Sequence, residues 1–319
     1  MRLALAGDTM LGRGVGQRLG AARPESLFAT EVVEAMRGAD LRLVNLECCI
    51  SERGAPAPGR VFHFRAPPAG ADALALLGVD CVTLANNHAL DFGPEALMDT
   101  LEYLRAAGIA WVGAGRDADE AHTPAALAAA GERLRVVAFA DHPVEYAAAP
   151  DRPGIAFAEL GRGEVPDRLL SLIGNGGPEP VLVSPHWGPN MVAAPTAPVR
   201  RAAETLGRSG AALIAGHSAH VFHGVAGKVL YDLGDFVDDY RVDPVLRNDL
   251  GLLWFVELAE GEVVGLEAMP LKLDFCHTRA AGGDDAAWIA RRFIDACADL
   301  GTRARERDGR LVVELGSDA

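Results

Sequence analysis

Six short segments of this chain carry the residue types that bind divalent cations. They are Gly7-Asp8, Asn45-Leu46-Glu47, Asn86-Asn87-His88 with Asp91 three residues on, His186-Trp187-Gly188, Gly216-His217-Ser218-Ala219-His220 and Gly234-Asp235. Carboxylate, amide oxygen and imidazole are donors for borderline first-row ions, with Mn, Fe and Zn the leading choices. No Cys stands among them, which argues against a structural zinc knot. The set is too large for one tetrahedral ion, and two ions sharing a carboxylate would use it well. Two such ions ~3.5–4 Å apart polarise a substrate oxygen and generate hydroxide at neutral pH. A nearby dication also holds each ligand deprotonated, His included. Singly, each residue has an ordinary structural explanation: Asp8 as a helix cap, Asn87 as turn chemistry. His63, His122, His142 and His277 read as surface or hydrogen-bonded residues. Jointly, the six segments favour a metal site.

Each segment follows an apolar run of strand length. The runs are Leu3–Ala6, Leu41–Val44, Cys81–Ala85, Val181–Val183, Ala211–Ala215 and Val229–Leu233, with Ile109–Val112 and Leu134–Ala140 besides. Helical patterns separate them, so the fold class is α/β, and the lack of polar alternation predicts strands covered on both faces. In open α/β sheets ligands bind beyond the carboxyl ends of the strands, which would deliver all six segments to one rim. Pro94 to Ala107 predicts a helix, with Pro in its first turn, Gly108 past its end, and Leu97, Leu101 and Leu104 on one face. The Ala-rich stretch Ala121 to Ala130 also reads as a helix. Ser51 to Pro68 reads as a surface excursion and Asn175 to Pro180 as a tight connector. Beyond these, Leu252–Glu257 and Val263–Met269 predict a hairpin, Ala286 to Ala298 a helix, and Leu311–Leu315 a final edge strand. The organisation expected is a main domain over 1–257, with 258–319 packed on it.

Composition narrows the function classes. Of 319 residues half are apolar and 23% charged, the balance of an ordinary globular protein rather than a disordered one. Thirty Lys and Arg against 44 Asp and Glu leave a net charge of −14, so neither nucleic acid nor an anionic membrane is an expected partner. Five Cys, an odd number with Cys48 and Cys49 adjacent, fit free thiols rather than a disulfide framework, and Cys48 and Cys49 read as small residues packing under the rim. The first residues lack a signal-peptide core, and no stretch approaches the ~20 apolar residues of a membrane span. The expected compartment is the cytoplasm, and oligomeric state stays open.

The same residues carry a family resemblance. Gly-Asp-Thr-Met-Leu-Gly-Arg (7–13), Asn-Leu-Glu (45–47), Ala-Asn-Asn-His-Ala-Leu-Asp-Phe-Gly (85–93), His-Trp-Gly (186–188), Gly-His-Ser-Ala-His (216–220) and Leu-Gly-Asp-Phe (233–236) occur in order. Together they resemble the CapA-type family associated with poly-γ-glutamate capsule synthesis, itself similar to the calcineurin-like metallophosphatases. The match covers about residues 2 to 257. It implies a four-layer α/β/β/α metallophosphatase-like sandwich with a dinuclear divalent-metal centre. On the matching positions Asp8, Glu47, Asn87, His186, His217 and His220 would be ligands, with Glu47 bridging. His88 would protonate a leaving group, oriented by Asp91. Arg13 would bind an anionic small-molecule or peptide-like substrate, and Asn86, Trp187 and Asp235 would contact it from the rim.

Departures from the family pattern affect the rim. Met10 stands where the phosphatases place a second His, which weakens one of the two metal sites. Asn190 and Asp235 replace a Glu and an Asn, and no counterpart of the family's usual membrane anchor is expected. The resemblance implies a metal-dependent hydrolase of a γ-glutamyl amide or a phosphoester. A phosphatase of small-molecule metabolism, or a non-catalytic or mononuclear metal-binding module, are the alternatives.

Overall fold

The computed structural model describes residues 1–175 and 177–315; position 176, within the expected 175–180 connector, lies outside the described residues. Two sheets face each other between helices. Four parallel strands, Arg2–Thr9, Leu41–Leu46, Cys81–Thr83 and Ala110–Val112, form one half of the first sheet. Its other half is antiparallel: Leu250–Ala259 pairs with Arg2–Thr9, and Glu262–Asp274, Arg310–Glu314 and Arg303–Arg307 follow outward. The expected division at 257/258 therefore falls inside one continuous strand. In the second sheet Glu132–Ala140, Val181–His186, Leu213–Ala215 and Val229–Leu230 are parallel.

Alternation of side chains across the second sheet shows why four layers form. Leu134, Val136, Ala138 and Ala140 point into the core shared with the first sheet. Val137 and Phe139 point the other way, onto Leu169 and Ile173 of the helix Asp167–Gly174 and Val199 and Leu206 of the helix Ala197–Arg208. With period 2 and both faces covered, such a strand reads as one apolar run. Against the first sheet pack the helices Arg13–Ala21, Thr30–Arg37, Ala69–Leu77 and Gly93–Ala106. The last buries Leu97, Leu101 and Leu104, each worth roughly 1.5–3 kcal/mol relative to exposure, and Gly108 turns the chain away at φ +73°.

Two expectations fail for physical reasons. Ala121–Ala130 is not a helix: helical structure ends at Ala121, and Ala125–Ala129 is a strand paired antiparallel to Glu132–Ala140. Pro124 blocks continuation, and ladder pairing with a long buried strand overrides the helix propensity of Ala. The terminal strand is not at the edge either. Arg310–Glu314 lies between Glu262–Asp274 and the edge strand Arg303–Arg307, whose charged, exposed residues carry no apolar signal.

All five cysteines are free and buried. Burial pushes Cys49 and Cys81 up to about 12 and Cys276 and Cys297 up to about 11, and raises Cys48 well above its ordinary value. A thiol reagent at about pH 8 is therefore expected to leave the native chain unmodified and to label all five Cys in denaturant. Rapid native labelling of any of them would contradict this packing.

Candidate metal centre

The rim of both sheets converges on a buried cluster of oxygen and nitrogen donors. From the first sheet come Asp8, at the end of Arg2–Thr9, and Glu47, just past Leu41–Leu46. From the second come His186, the last residue of Val181–His186, and His217 and His220, in the loop after Leu213–Ala215. Asp235 arrives by a change of sheet. After Val229–Leu230 the chain crosses at Gly234 and pairs Asp235–Val237 with Arg2–Thr9, placing Asp235 opposite Asp8. Gly7 makes that approach possible: a Cβ there would lie 1.7 Å from the Gly234 carbonyl oxygen, which accepts from the Asp8 N–H at 2.9 Å.

Two triads result, each with donor atoms within 4.8 Å of one another: Asp8–Glu47–His186 and Asp8–His220–Asp235. Asp8 is the shared member. Glu47, expected to bridge, belongs to one triad only, with its Oε1 3.7 Å from His186 Nε2. His217 Nδ1 lies 3.1 Å from Asp8 Oδ1, and His220 Nδ1 lies 2.8 Å from Asp235 Oδ1 and 3.4 Å from Asp8 Oδ2. Asp235 was expected to contact substrate and instead stands among the donors, because the sheet crossing buries it beside Asp8. His220 at φ +59° and Ser218 at φ +113° are held in sparsely populated conformations, and Asp232 Oδ2 fixes their loop by accepting from the Ala219 N–H at 2.7 Å.

The donors are nearly sealed from water, and their electrostatics follow from that. Burial raises Glu47 well above the usual carboxylate range, and the Asp8 charge adds to it. Burial likewise raises Asp235 and Asp232. For Asp8 burial is outweighed by His217 and His220, and its carboxyl is held well below the usual range. Burial lowers His186, whereas Asp235 and Glu47 outweigh burial at His220 and raise it. Both Glu47 oxygens, Asp235 Oδ2, Asn87 Oδ1 and His186 Nδ1 are buried without a hydrogen-bond partner. Each such group costs about 1–3 kcal/mol unless something satisfies it. Divalent cations would satisfy the carboxylate and amide oxygens, so these residues fit a metal centre.

Beside the cluster lies a cleft of about 570 Å³ lined by Arg13, Asn87, His88, Asn190, His220 and Tyr240, among others. The surface excursion supplies one wall through Arg60, Val61, Phe62 and Phe64. His88 Nδ1 sits 2.6 Å from Asp91 Oδ2, the pairing expected of an orienting carboxylate. Asp91 is itself fixed by the Phe64 N–H at 2.8 Å and the Tyr146 hydroxyl at 3.1 Å. Burial lowers the His88 pKa and outweighs the Asp91 contact, so the ring is neutral at pH 7. Arg13 faces the cleft with its Nε 3.2 Å from Asp239 Oδ2.

Two further expectations do not survive. Trp187 is buried in the second core and donates its indole N–H to the Tyr231 carbonyl at 3.0 Å, out of reach of a ligand. Asn86 is fully buried, donating to Asn45 Oδ1 and the Leu46 carbonyl and accepting from the His88 N–H. It braces the rim rather than contacting substrate. Two residues take places beside the donors that the sequence reading did not give them. Asn45, grouped with Glu47 as a candidate donor segment, instead donates its amide Nδ2–H to Asp8 Oδ1 at 2.7 Å. His142 is half-exposed and hydrogen-bonded to Asp141, as expected, and in addition has its ring centroid 5.3 Å from that of His186. It follows the strand Glu132–Ala140 as the other candidates follow theirs, so the strand-end rule itself could have found it.

Comparisons with known proteins bear on this arrangement. Residues 2–240 match the family described as "Bacterial capsule synthesis protein PGA_cap". Over 293 residues the chain is 31% identical to "Probable polyglutamine synthesis accessory protein" of Mycobacterium tuberculosis, covering 86% of this chain and 76% of that one. It is 26% identical to "Capsule biosynthesis protein CapA" of Bacillus anthracis, over 75% of this chain and 60% of that one. A hypothetical protein from Thermus thermophilus shares the fold, with TM-score 0.51 and 17% identity over 85% of this chain and 99% of that one.

Proposed function

The chain belongs to the PGA_cap family of bacterial capsule synthesis proteins, and from that premise we propose that it is a metal-dependent hydrolase acting on an anionic substrate. The observation that carries the reading is the pair of buried triads sharing Asp8, beside the partnerless Glu47 and Asn87 oxygens. Asp8, Glu47 and His186 would hold one ion, and Asp8, His220 and Asp235 a second, with Asn87 and His217 completing the set. Such ions act as Lewis acids toward a substrate oxygen and lower the pKa of water.

The chain's own residues would do the rest. Arg13 and Arg241 bring guanidinium groups to the cleft, where they would hold a carboxylate or phosphate of the substrate. Neutral His88, with its Nδ1–H on Asp91, presents Nε2 as a proton acceptor. That nitrogen would take a proton and return it to the leaving group. Burial of Val61, Phe62 and Tyr240 against a bound substrate would exclude water from the donors. The relatives' names, which speak of capsule and polyglutamine synthesis, favour a glutamyl amide, and the donor set serves a phosphoester equally. Among the described residues no helix is long and apolar enough to cross a membrane. The five free thiols support a reducing compartment, the cytoplasm.

Elemental analysis paired with turnover of aryl phosphate and γ-glutamyl anilide substrates tests the reading. About two equivalents of metal with turnover of either is the expected result. Under about half an equivalent after reconstitution, with no turnover, would leave a binding module, the role suggested by the word "accessory" in the mycobacterial relative's name. His88→Asn is expected to lower kcat by about 10²–10⁴ while metal content and KM stay near those of the parent chain. An unchanged kcat would remove His88 from the proton-transfer role.

A further inference from the structure

A second cavity, of about 540 Å³, lies apart from the cleft and shares no lining residue with it. It opens between the helix Gly283–Asp299, the segment Ala193–Pro195 and Gly224. Arg200, Arg291 and Arg292 line it together with Asp295, Asp299 and Trp288. Arg292 is the anchor: its Nη2 donates to the Ala193 carbonyl at 3.1 Å, and its Nε is buried without a partner. Among the described residues no carboxylate compensates it, and burial alone pulls its pKa below the usual guanidinium value. Three arginines line one opening, one of them partly buried and unneutralised, and guanidinium is the side-chain group whose paired N–H donors match a phosphate. The volume falls in the ~300–1,000 Å³ range of small-molecule sites and exceeds what a bare anion would fill. Asp295 and Asp299 would repel an anion but can accept hydrogen bonds from hydroxyl groups. Leu300 and Trp288, over whose ring the Arg247 and Arg292 guanidiniums stand at 5.7 Å, add an apolar wall suited to the C–H face of a sugar ring.

We propose that this cavity binds a phosphorylated sugar, with Arg200, Arg291 and Arg292 on the phosphate, Asp295 and Asp299 on the hydroxyls, and Trp288 against the ring. The site is not part of the metal centre, although its walls continue both ligand loops. Ala193 lies seven residues beyond His186, and Gly224 four beyond His220. His223 Nε2, 2.9 Å from the Val192 carbonyl oxygen, ties the two loops together.

Isothermal titration calorimetry on the full metal-loaded chain tests this with ribose 5-phosphate, ribose and inorganic phosphate. Saturable binding of ribose 5-phosphate is expected, with inorganic phosphate about tenfold weaker and ribose silent. Arg292→Met should weaken the sugar phosphate by about tenfold or more. Arg200→Met and Arg291→Met, both at exposed positions, should do likewise and keep the test valid should Arg292→Met fail to fold. His217→Ala should leave the affinity within about twofold, since it alters only the metal centre. Three results would overturn the proposal: no heat with ribose 5-phosphate, inorganic phosphate binding as tightly as the sugar phosphate, or binding lost in His217→Ala and kept in the arginine variants.

Discussion

Asp8→Asn is expected to empty both metal triads in one step, taking metal content from about two equivalents to below about half and lowering turnover by more than about 10³-fold. Among the described residues Asp8 is the one side chain whose oxygens lie within reach of Glu47 and His186 on one side and His220 and Asp235 on the other. An amide of the same shape keeps the contact with Asn45, whose Nδ2 now donates to Oδ1 at 2.7 Å. What it loses is the negative charge, and with it the strongest reason for two cations to sit side by side. The metal-free fold should tolerate the change. The Asp8 charge raises Glu47 and Asp235, so its removal relieves repulsion while forfeiting the pairing with His217 and His220. The expected signature is a metal-free variant that melts close to the metal-free parent, together with nearly complete loss of metal and activity. Glu47→Gln, confined to one triad, should retain about one equivalent. Retention of two equivalents by Asp8→Asn would show that Asp8 is not the shared ligand.

Most of this centre can be read along the chain because ligand chemistry and strand ends coincide. Asp8, Glu47, His186 and His217 each stand within three residues of the end of a buried apolar run, so one topological rule locates them all. Where the rule holds locally and fails, tertiary contacts decide. Trp187 stands between a candidate ligand and a glycine, yet its indole packs into the second core and donates to the Tyr231 carbonyl. Asp235 follows an apolar run that belongs to the second sheet, but Gly234 carries the chain into the first. Its role is set by pairing with Arg2–Thr9, more than 220 residues away in sequence. Local pattern carries no such information. The same holds for Ala125–Ala129, where composition points to helix and a neighbouring strand imposes a ladder.

Removing the metal should destabilise the chain more as pH rises, and the sign follows from which groups are shifted. Glu47, Asp232 and Asp235 have folded-state pKa values raised by burial, and His220 is raised by Asp235 and Glu47 against burial. Above the ordinary pKa of each, the unfolded chain has released its proton while the native state keeps it. Stability from these groups is therefore fully present at low pH and is lost as pH climbs through the folded-state values. Each proton so retained costs about 1.4 kcal/mol per pH unit. Asp8, His186 and His88 are shifted downward, so above about pH 7 they are deprotonated in both states and contribute no slope. Cations reverse the trend, because they bind the deprotonated ligands. Chelated protein is thus expected to melt progressively lower as pH rises above about 6.5, the ordinary value of the His220 imidazole, by about 2–4 °C per kcal/mol, while the metal-loaded chain changes little. The gap between the two melting temperatures should widen with pH. A gap that narrows over that range would mean that the cluster is not held by cations at all, and that Glu47, Asp235 and His220 form a proton-shared network serving only the fold.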